Sequence, residues 1–193
     1  MRITGGTGKG RRLRVPAGDR VRPTSDKVKQ ALFNMLGEKV AGAAFLDLYA
    51  GTGGIGIEAL SRGAGRVVFI DDSRSSLQVI RHNVEQSGFG DRAQVTAARA
   101  ESFVRKTEER FDIVFLDPPY TLVIAEVLAF VEEADLLQPG AVVIAEHFKK
   151  QESPRKAGNL SLYREARYGD TVLAFYRAAD GMGSDAEGQE GTS

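Results

Sequence analysis

Four consecutive residues, Asp117-Pro118-Pro119-Tyr120, follow directly on the apolar run Ile113-Val114-Phe115-Leu116. Proline fixes φ near about −65°, lacks an N–H, and forces the residue before it to be extended. Two in succession make a stiff, non-helical lip. The lip would hold the Asp117 carboxyl and a backbone carbonyl, both acceptors, beside the flat face of Tyr120. A planar amine on a nucleobase has the complementary shape. Its lone pair is delocalised into the ring, so it is a poor nucleophile. Two acceptors gripping its hydrogens pull it toward tetrahedral geometry and free the pair for attack on a methyl sulfonium. The aromatic face can stack on a base that has left its helix. In-line transfer of this kind gains chiefly from positioning and electrostatics, and needs neither a metal nor a covalent enzyme intermediate. The plainer alternative is a strand terminator whose aspartate caps the next helix.

A second constellation lies upstream in "FLDLYAGTGGIGIEAL". Gly51, Gly53 and Gly56 form G-x-G-x-x-G between a strand-like run and a helix-like run, and Asp71 closes the next strand. Glycines let the backbone approach a nucleotide and the acid bonds ribose hydroxyls. A dinucleotide's pyrophosphate wants the bare positive end of a helix. Asp47, just ahead of the loop, would repel it and suits a ligand with a sulfonium and an α-ammonium. That favours S-adenosylmethionine over NAD.

The elements that must position these residues alternate. Strands read over "AFLDLYA", "RVVFID", "AQVTAA", "FDIVFLD" and "GAVVIAEH", the last after a Pro139-Gly140 turn. Helices read from Thr24 (with Thr24 or Ser25 as cap), over "GGIGIEALSRG", over "SRSSLQVIRHNVEQSG", around 100 to 107 and over 121 to 134. Such alternation predicts a mostly parallel sheet with helices on both faces. Ligands bind beyond the carboxyl ends of such strands, so Gly51, Asp71 and Asp117 should converge on one crevice. "LSLYREARYGDTVLAFYRA" reads as two strands around Gly169-Asp170, an antiparallel C-terminal hairpin. "RITGG" and "RRLRVP" read as two short strands around a "TGKG" turn. The expected organisation is an arm over 1–22, a catalytic domain over 23–178 and a disordered tail over 179–193.

The 193 residues carry no net formal charge, yet the first 29 hold nine bases against two acids. Arg2, Lys9, Arg11, Arg12, Arg14 and Arg22 therefore form a basic arm expected to meet nucleic acid. No cysteine is present, which excludes disulfides, thiolate metal sites and a Cys nucleophile. Methylation of pyrimidine carbon 5 usually needs that nucleophile, so an exocyclic nitrogen is the better target. No metal-ligand cluster, membrane span or secretory signal is legible, and a cytoplasmic, metal-free protein is expected. His82 reads as solvated. His147 falls near the expected crevice edge, with Glu146 beside it.

"DLYAGTGGIGIEALSRGA", Asp71 and "DPPY" together resemble the class I S-adenosylmethionine-dependent methyltransferases that act on exocyclic amines. With "RPTSDKVKQALFN", "RITGG", "GRRL" and "RYGDT", the sequence is similar over about 1–177 to the RsmD family of 16S rRNA guanine-N2 methyltransferases. The resemblance implies a Rossmann-like, seven-stranded sheet with a small N-terminal β-hairpin extension. It implies methylation of N2 of guanine 966 (conventional position) in 16S rRNA or the small ribosomal subunit; a monomer is expected, though the sequence does not fix the oligomeric state. Asp117, Pro118, Pro119 and Tyr120 match the family's catalytic motif, and Asp47, Gly51, Gly53 and Asp71 its cofactor loop and ribose acid. The acid often found after the third strand is replaced here by Arg99, so a backbone N–H around Ala100 is expected near the adenine. Rivals are an adenine-N6 DNA methyltransferase, a non-catalytic RNA-binding assembly protein and, last, an NAD-dependent oxidoreductase.

Overall fold

The computed structural model describes residues 1–15 and 24–178. The expected tail and Arg22 lie outside them. Eight strands form one sheet in the order β3-β2-β1-β4-β5-β8-β7-β6. They are β1 (Ala44–Leu48), β2 (Arg66–Asp71), β3 (Ala93–Ala97), β4 (Phe111–Leu116), β5 (Leu137–Phe148), β6 (Lys156–Ala157), β7 (Leu160–Tyr168) and β8 (Thr171–Ala178). The first five run parallel, and β8, β7 and β6 add antiparallel pairings at one side. The expected count of seven is exceeded by β6, whose two residues blunt the sheet edge beside β7. The Gly169 turn between β7 and β8 is as expected, with Gly169 at φ +63°.

The helices are α1 (Asp26–Leu36), α2 (Gly54–Ser61), α3 (Arg74–Ser87), α4 (Ala100–Val104) and α5 (Ile124–Glu133). Because both faces of a parallel sheet must be covered, its strands read as continuous apolar runs. Phe45, Phe69, Phe115 and Ile144 meet α1, α2, α3 and the arm on one face. Leu46, Ile70, Val114, Leu116 and Val143 meet α4 and α5 on the other.

Three expectations change. Pro139-Gly140 does not precede β5 but lies within it. β5 advances from Leu137 to Val142 while β4 advances only from Phe111 to Ile113, and Gly140 supplies the positive φ for that bulge. The helices around 100–107 and 121–134 are shorter than their periodicity suggested. The arm's two short strands are reduced to an antiparallel ribbon with one bridge, Arg2 to Arg12, and backbone hydrogen bonds from Ile3 to Arg11 and from Leu13 to Met1.

Ion pairs and hydrogen bonds tie that ribbon to the body. Glu58 of α2, fully buried, accepts the Thr4 N–H at 2.7 Å and the Thr4 hydroxyl at 2.8 Å, and it pairs with Arg62 at 2.8 Å. Lys29 of α1, also fully buried, lies 3.5 Å from Glu58 and donates to the Arg2 carbonyl at 2.5 Å. Asn83 of α3 holds both the N–H and the carbonyl of Arg14.

Candidate active site

A cavity of about 1100 Å³ opens at the carboxyl ends of β1, β2, β3 and β4. Asp47, Gly51, Asp71, Ala100, Asp117, Pro118, Pro119 and Tyr120 all line it, so the crevice predicted from the topology forms. Gly53 and Gly56 are not among its lining residues. Gly53 caps α2 in the left-handed region at φ +73°, which favours glycine. At Gly56 a Cβ would meet Phe69 Cε1 at 2.2 Å, so this glycine serves helix-on-strand packing.

Two carboxylates organise the loop. Asp71 accepts the Gly51 N–H at 2.8 Å through one oxygen and the Ser73 N–H at 2.9 Å through the other. The end of β2 thus clamps the turn after β1, and burial raises the Asp71 pKa against these two bonds. Asp47 is 2% exposed and accepts the Gly56 N–H at 2.9 Å, across the first turn of α2. Burial pushes its pKa up to about 8; Asp71 and Glu146 add to the rise, and the Gly56 bond opposes it. A buried carboxyl so raised is a vacancy for positive charge. An α-ammonium or sulfonium would restore its ionised form, whereas a pyrophosphate would oppose it.

The lip after β4 has the predicted character. Asp117 is half-buried, and burial, then Glu146, then Asp47 hold its carboxyl well above the usual range. The Pro119 carbonyl accepts the Leu122 N–H at 2.9 Å, closing a turn. The Pro118 carbonyl accepts no hydrogen bond among the described residues, and so remains as the lip's open acceptor. Tyr120 is 69% exposed, its ring edge-on to Phe148 with centroids 6.0 Å apart.

Glu146, Thr24 and Tyr49 join this site as well. Register places Leu116 opposite Ala145, so Glu146 follows on the strand beside Asp117 and on the same face. Burial pushes its pKa up to about 7, and the Thr24 hydroxyl, donating at 3.0 Å, opposes that rise. Ser25, not Thr24, caps α1 by accepting the Val28 N–H at 3.3 Å. Tyr49 follows β1 with φ +61°, the only non-glycine positive φ among the described residues, and lines the cavity. Its hydroxyl is buried without a partner, and burial, then Glu101 and Asp72, raise its pKa.

Alternation along the ribbon divides the arm's bases. Ile3 and Leu13 face the core, and Arg11, opposite Ile3, donates to the Ser87 carbonyl at 2.5 Å. Arg11 thereby caps the last turn of α3 while its side chain stays exposed. Lys9, Arg12 and Arg14 have exposed side chains, and Arg2 is exposed while pairing with Asp26 at 3.1 Å. His147 does not reach the crevice. It is buried, with Nε2 2.9 Å from the Ser153 hydroxyl and Nδ1 3.1 Å from the Phe148 carbonyl.

The model of a family described as conserved hypothetical protein 95 matches residues 1–177. YlbH of Bacillus subtilis (strain 168) is 39% identical over 181 residues, covering 92% of this chain and 98% of that protein. Ribosomal RNA small subunit methyltransferase D of Escherichia coli (strain K12) is 34% identical over 188 residues, covering 97% and 94%. The solved structure of Escherichia coli yhhF superposes with a TM-score of 0.83 at 34% identity, covering 93% of this chain and 98% of that one.

Proposed function

The chain belongs to the conserved hypothetical protein 95 family, the RsmD family of methyltransferases, and from that premise we propose that it methylates N2 of a guanine in 16S rRNA, conventional position 966. The observation that carries the reading is a single cavity holding both halves of the chemistry. Asp47, Gly51 and Asp71 form one wall, and Asp117, Pro118 and Tyr120 the other.

S-adenosylmethionine supplies an activated methyl group on a sulfonium. The residues present fit it. Asp47 offers buried negative charge to its cationic end, Asp71 faces the ribose, and the backbone around Ala100 faces the adenine. On the substrate side, Tyr120 stacks on the extruded guanine. The Asp117 carboxyl and the Pro118 carbonyl accept the two amine hydrogens and set the direction of the nitrogen lone pair. Asp117 and Glu146, on adjacent strands, take up the proton that the nitrogen sheds. Lys9, Arg12 and Arg14, with Arg2, hold RNA phosphates. The protein works as a monomer on the small subunit or its rRNA, without a metal.

Nucleoside mass spectrometry of 16S rRNA from a strain lacking the gene tests this. Loss of one N2-methylguanosine, restored when purified protein and S-adenosylmethionine are added to those subunits, is expected. An unchanged N2-methylguanosine content refutes it. A gain of N6-methyladenosine on adding the protein would instead mark the adenine-directed rival.

A further inference from the structure

The lip that carries Asp117 and Tyr120 is not held by its own prolines alone. Gln151, in the turn after β5, reaches it with both ends of its amide. Its Oε1 accepts the Ile124 N–H at 3.2 Å, and its Nε2 donates to the Leu122 carbonyl at 3.3 Å. Ile124 is the first residue of α5, whose N-cap Val123 has no side-chain hydrogen bond to offer. Gln151 thus replaces the missing cap and closes the far end of the segment that begins at Asp117. The turn presenting Gln151 is itself fixed. The Gln151 N–H donates to the Phe148 carbonyl at 2.9 Å, and the Lys149 N–H to the Asp170 carbonyl at 2.8 Å.

The same turn meets Tyr120. Phe148 stands edge-on to its ring and is half-buried, while Tyr120 remains open to solvent. A T-shaped pair of this kind fixes the ring plane. Lys150 is exposed, with its ammonium 5.8 Å from the Phe148 ring centroid. Phe148, Lys150 and Gln151 all line the cavity with Asp117 and Tyr120.

We propose that the turn Phe148–Gln151 is the second wall of the substrate subsite: Gln151 and Phe148 are positioning residues that set the lip and the plane of Tyr120, and Lys150 contacts a phosphate flanking the extruded nucleotide. This rests on the nucleic-acid methyl-transfer reading above. The cofactor's residues sit at β1, β2 and α4, across the cavity, so the turn acts on the substrate side alone. A displacement of about 1 Å at an aligned reacting group costs on the order of 100-fold in rate.

The test uses the full chain with Gln151→Ala, Gln151→Glu, Phe148→Leu and Lys150→Gln. Gln151→Glu keeps the acceptor toward Ile124 and loses the donor toward Leu122. Hydrogen exchange at the Ile124 amide, read with no substrate present, should accelerate in Gln151→Ala and much less in Gln151→Glu. With 16S rRNA-containing subunits, Gln151→Ala and Phe148→Leu should lower kcat by about 10- to 100-fold with S-adenosylmethionine affinity unchanged. Lys150→Gln should raise the RNA KM and reduce its salt dependence at constant kcat. Unchanged Ile124 exchange overturns the clamp even if the wild-type chain methylates some other acceptor. Normal exchange effects with kcat intact, or with cofactor affinity falling in parallel, overturn the substrate-side assignment. If the wild-type chain methylates no RNA while Ile124 exchange responds as expected, the functional reading fails and the clamp stands.

Discussion

Cofactor affinity should rise with pH, and Asp47 should be the reason. Its carboxyl is 2% exposed, and in the ligand-free protein its pKa is pushed up to about 8 by burial, with Asp71 and Glu146 adding to the rise. Near neutral pH the site is therefore mostly protonated. A cation binding beside it favours the carboxylate, so binding at that pH releases a proton. With a bound-state pKa far below the range examined, the competent fraction is about one part in a hundred at pH 6 and about one half at pH 8. Affinity should then climb on the order of 50-fold over those two units, equivalent to about 2.3 kcal/mol. Asp47→Asn keeps an oxygen to accept the Gly56 N–H and removes the charge. It should bind S-adenosylmethionine or S-adenosylhomocysteine weakly at pH 8 and lack the rise. Isothermal titration in two buffers of different ionisation enthalpy reads both affinity and protons released. Comparing the two proteins cancels the titration of the ligand's own ammonium. Equal slopes in wild type and Asp47→Asn would refute the assignment of positive charge to this acid.

Asp117→Ala should bind the cofactor normally and lose about 100-fold or more in methyl incorporation; equal turnover would remove Asp117 from the chemistry. Glu146 has a folded pKa raised from 4.5 to about 7, so the stability it contributes is full below pH 4.5 and is lost as pH rises through 7. Glu146→Gln should therefore match wild type in acid and exceed it by about 1–3 kcal/mol above neutrality, by denaturant melts across pH. Neutralising Arg12 and Arg14 should flatten the salt dependence of RNA binding by a slope of about 1–2, whereas Arg11→Ala, which uncaps α3, should lower thermal stability more than that slope. Glu58→Ala strands the fully buried Lys29 and should cost about 3–5 kcal/mol in a urea melt.

Much of this site is legible in the sequence because its signals are local. The run Ile113–Leu116 announces a doubly covered strand, the prolines announce the lip, and the spacing from Gly51 to Asp71 announces the crossover. What was not legible depends on pairings between distant segments. Glu146 acquires its place beside Asp117 only through the register of β5 against β4, and its hydroxyl partner Thr24 comes from the start of α1. Gly56 satisfies the glycine pattern, and the space its missing Cβ leaves is filled by Phe69 on β2. Arg11 differs from Arg12 by one step along the ribbon, and that step brings its guanidinium to the Ser87 carbonyl at the end of α3. Charge counting along the chain is blind to such a difference. The left-handed Tyr49 carries no composition signal, since tyrosine seldom adopts that backbone.

The electrostatics of the cavity narrow its chemistry further than the glycine pattern does. Asp47, Asp71, Asp72, Glu101 and Asp117 all line it, against Lys29, Arg99 and Lys150 among the described residues. Lys29 is already engaged by Glu58 and the Arg2 carbonyl, which leaves the floor beneath the loop acidic. A nucleotide cofactor bound through phosphates would meet that floor with like charge, and Asp47 under the first turn of α2 would cancel the helix end that phosphates exploit. A cofactor bound through cations gains there. The acids also bear on the acceptor. Burial makes Asp117 and Glu146 hold protons more tightly than free carboxyls do. A protonated Asp117 still presents its carbonyl oxygen to an amine hydrogen, so the lip can accept such a hydrogen without a negative charge. Under the reading proposed above, a carboxyl of this pair that has lost its proton is a stronger base than a free one and suits the surplus proton of the methylated nitrogen. By that logic Asp117→Asn should keep most of the positioning and lose the proton uptake, a smaller defect than Asp117→Ala and one that eases as pH rises and solvent base takes over.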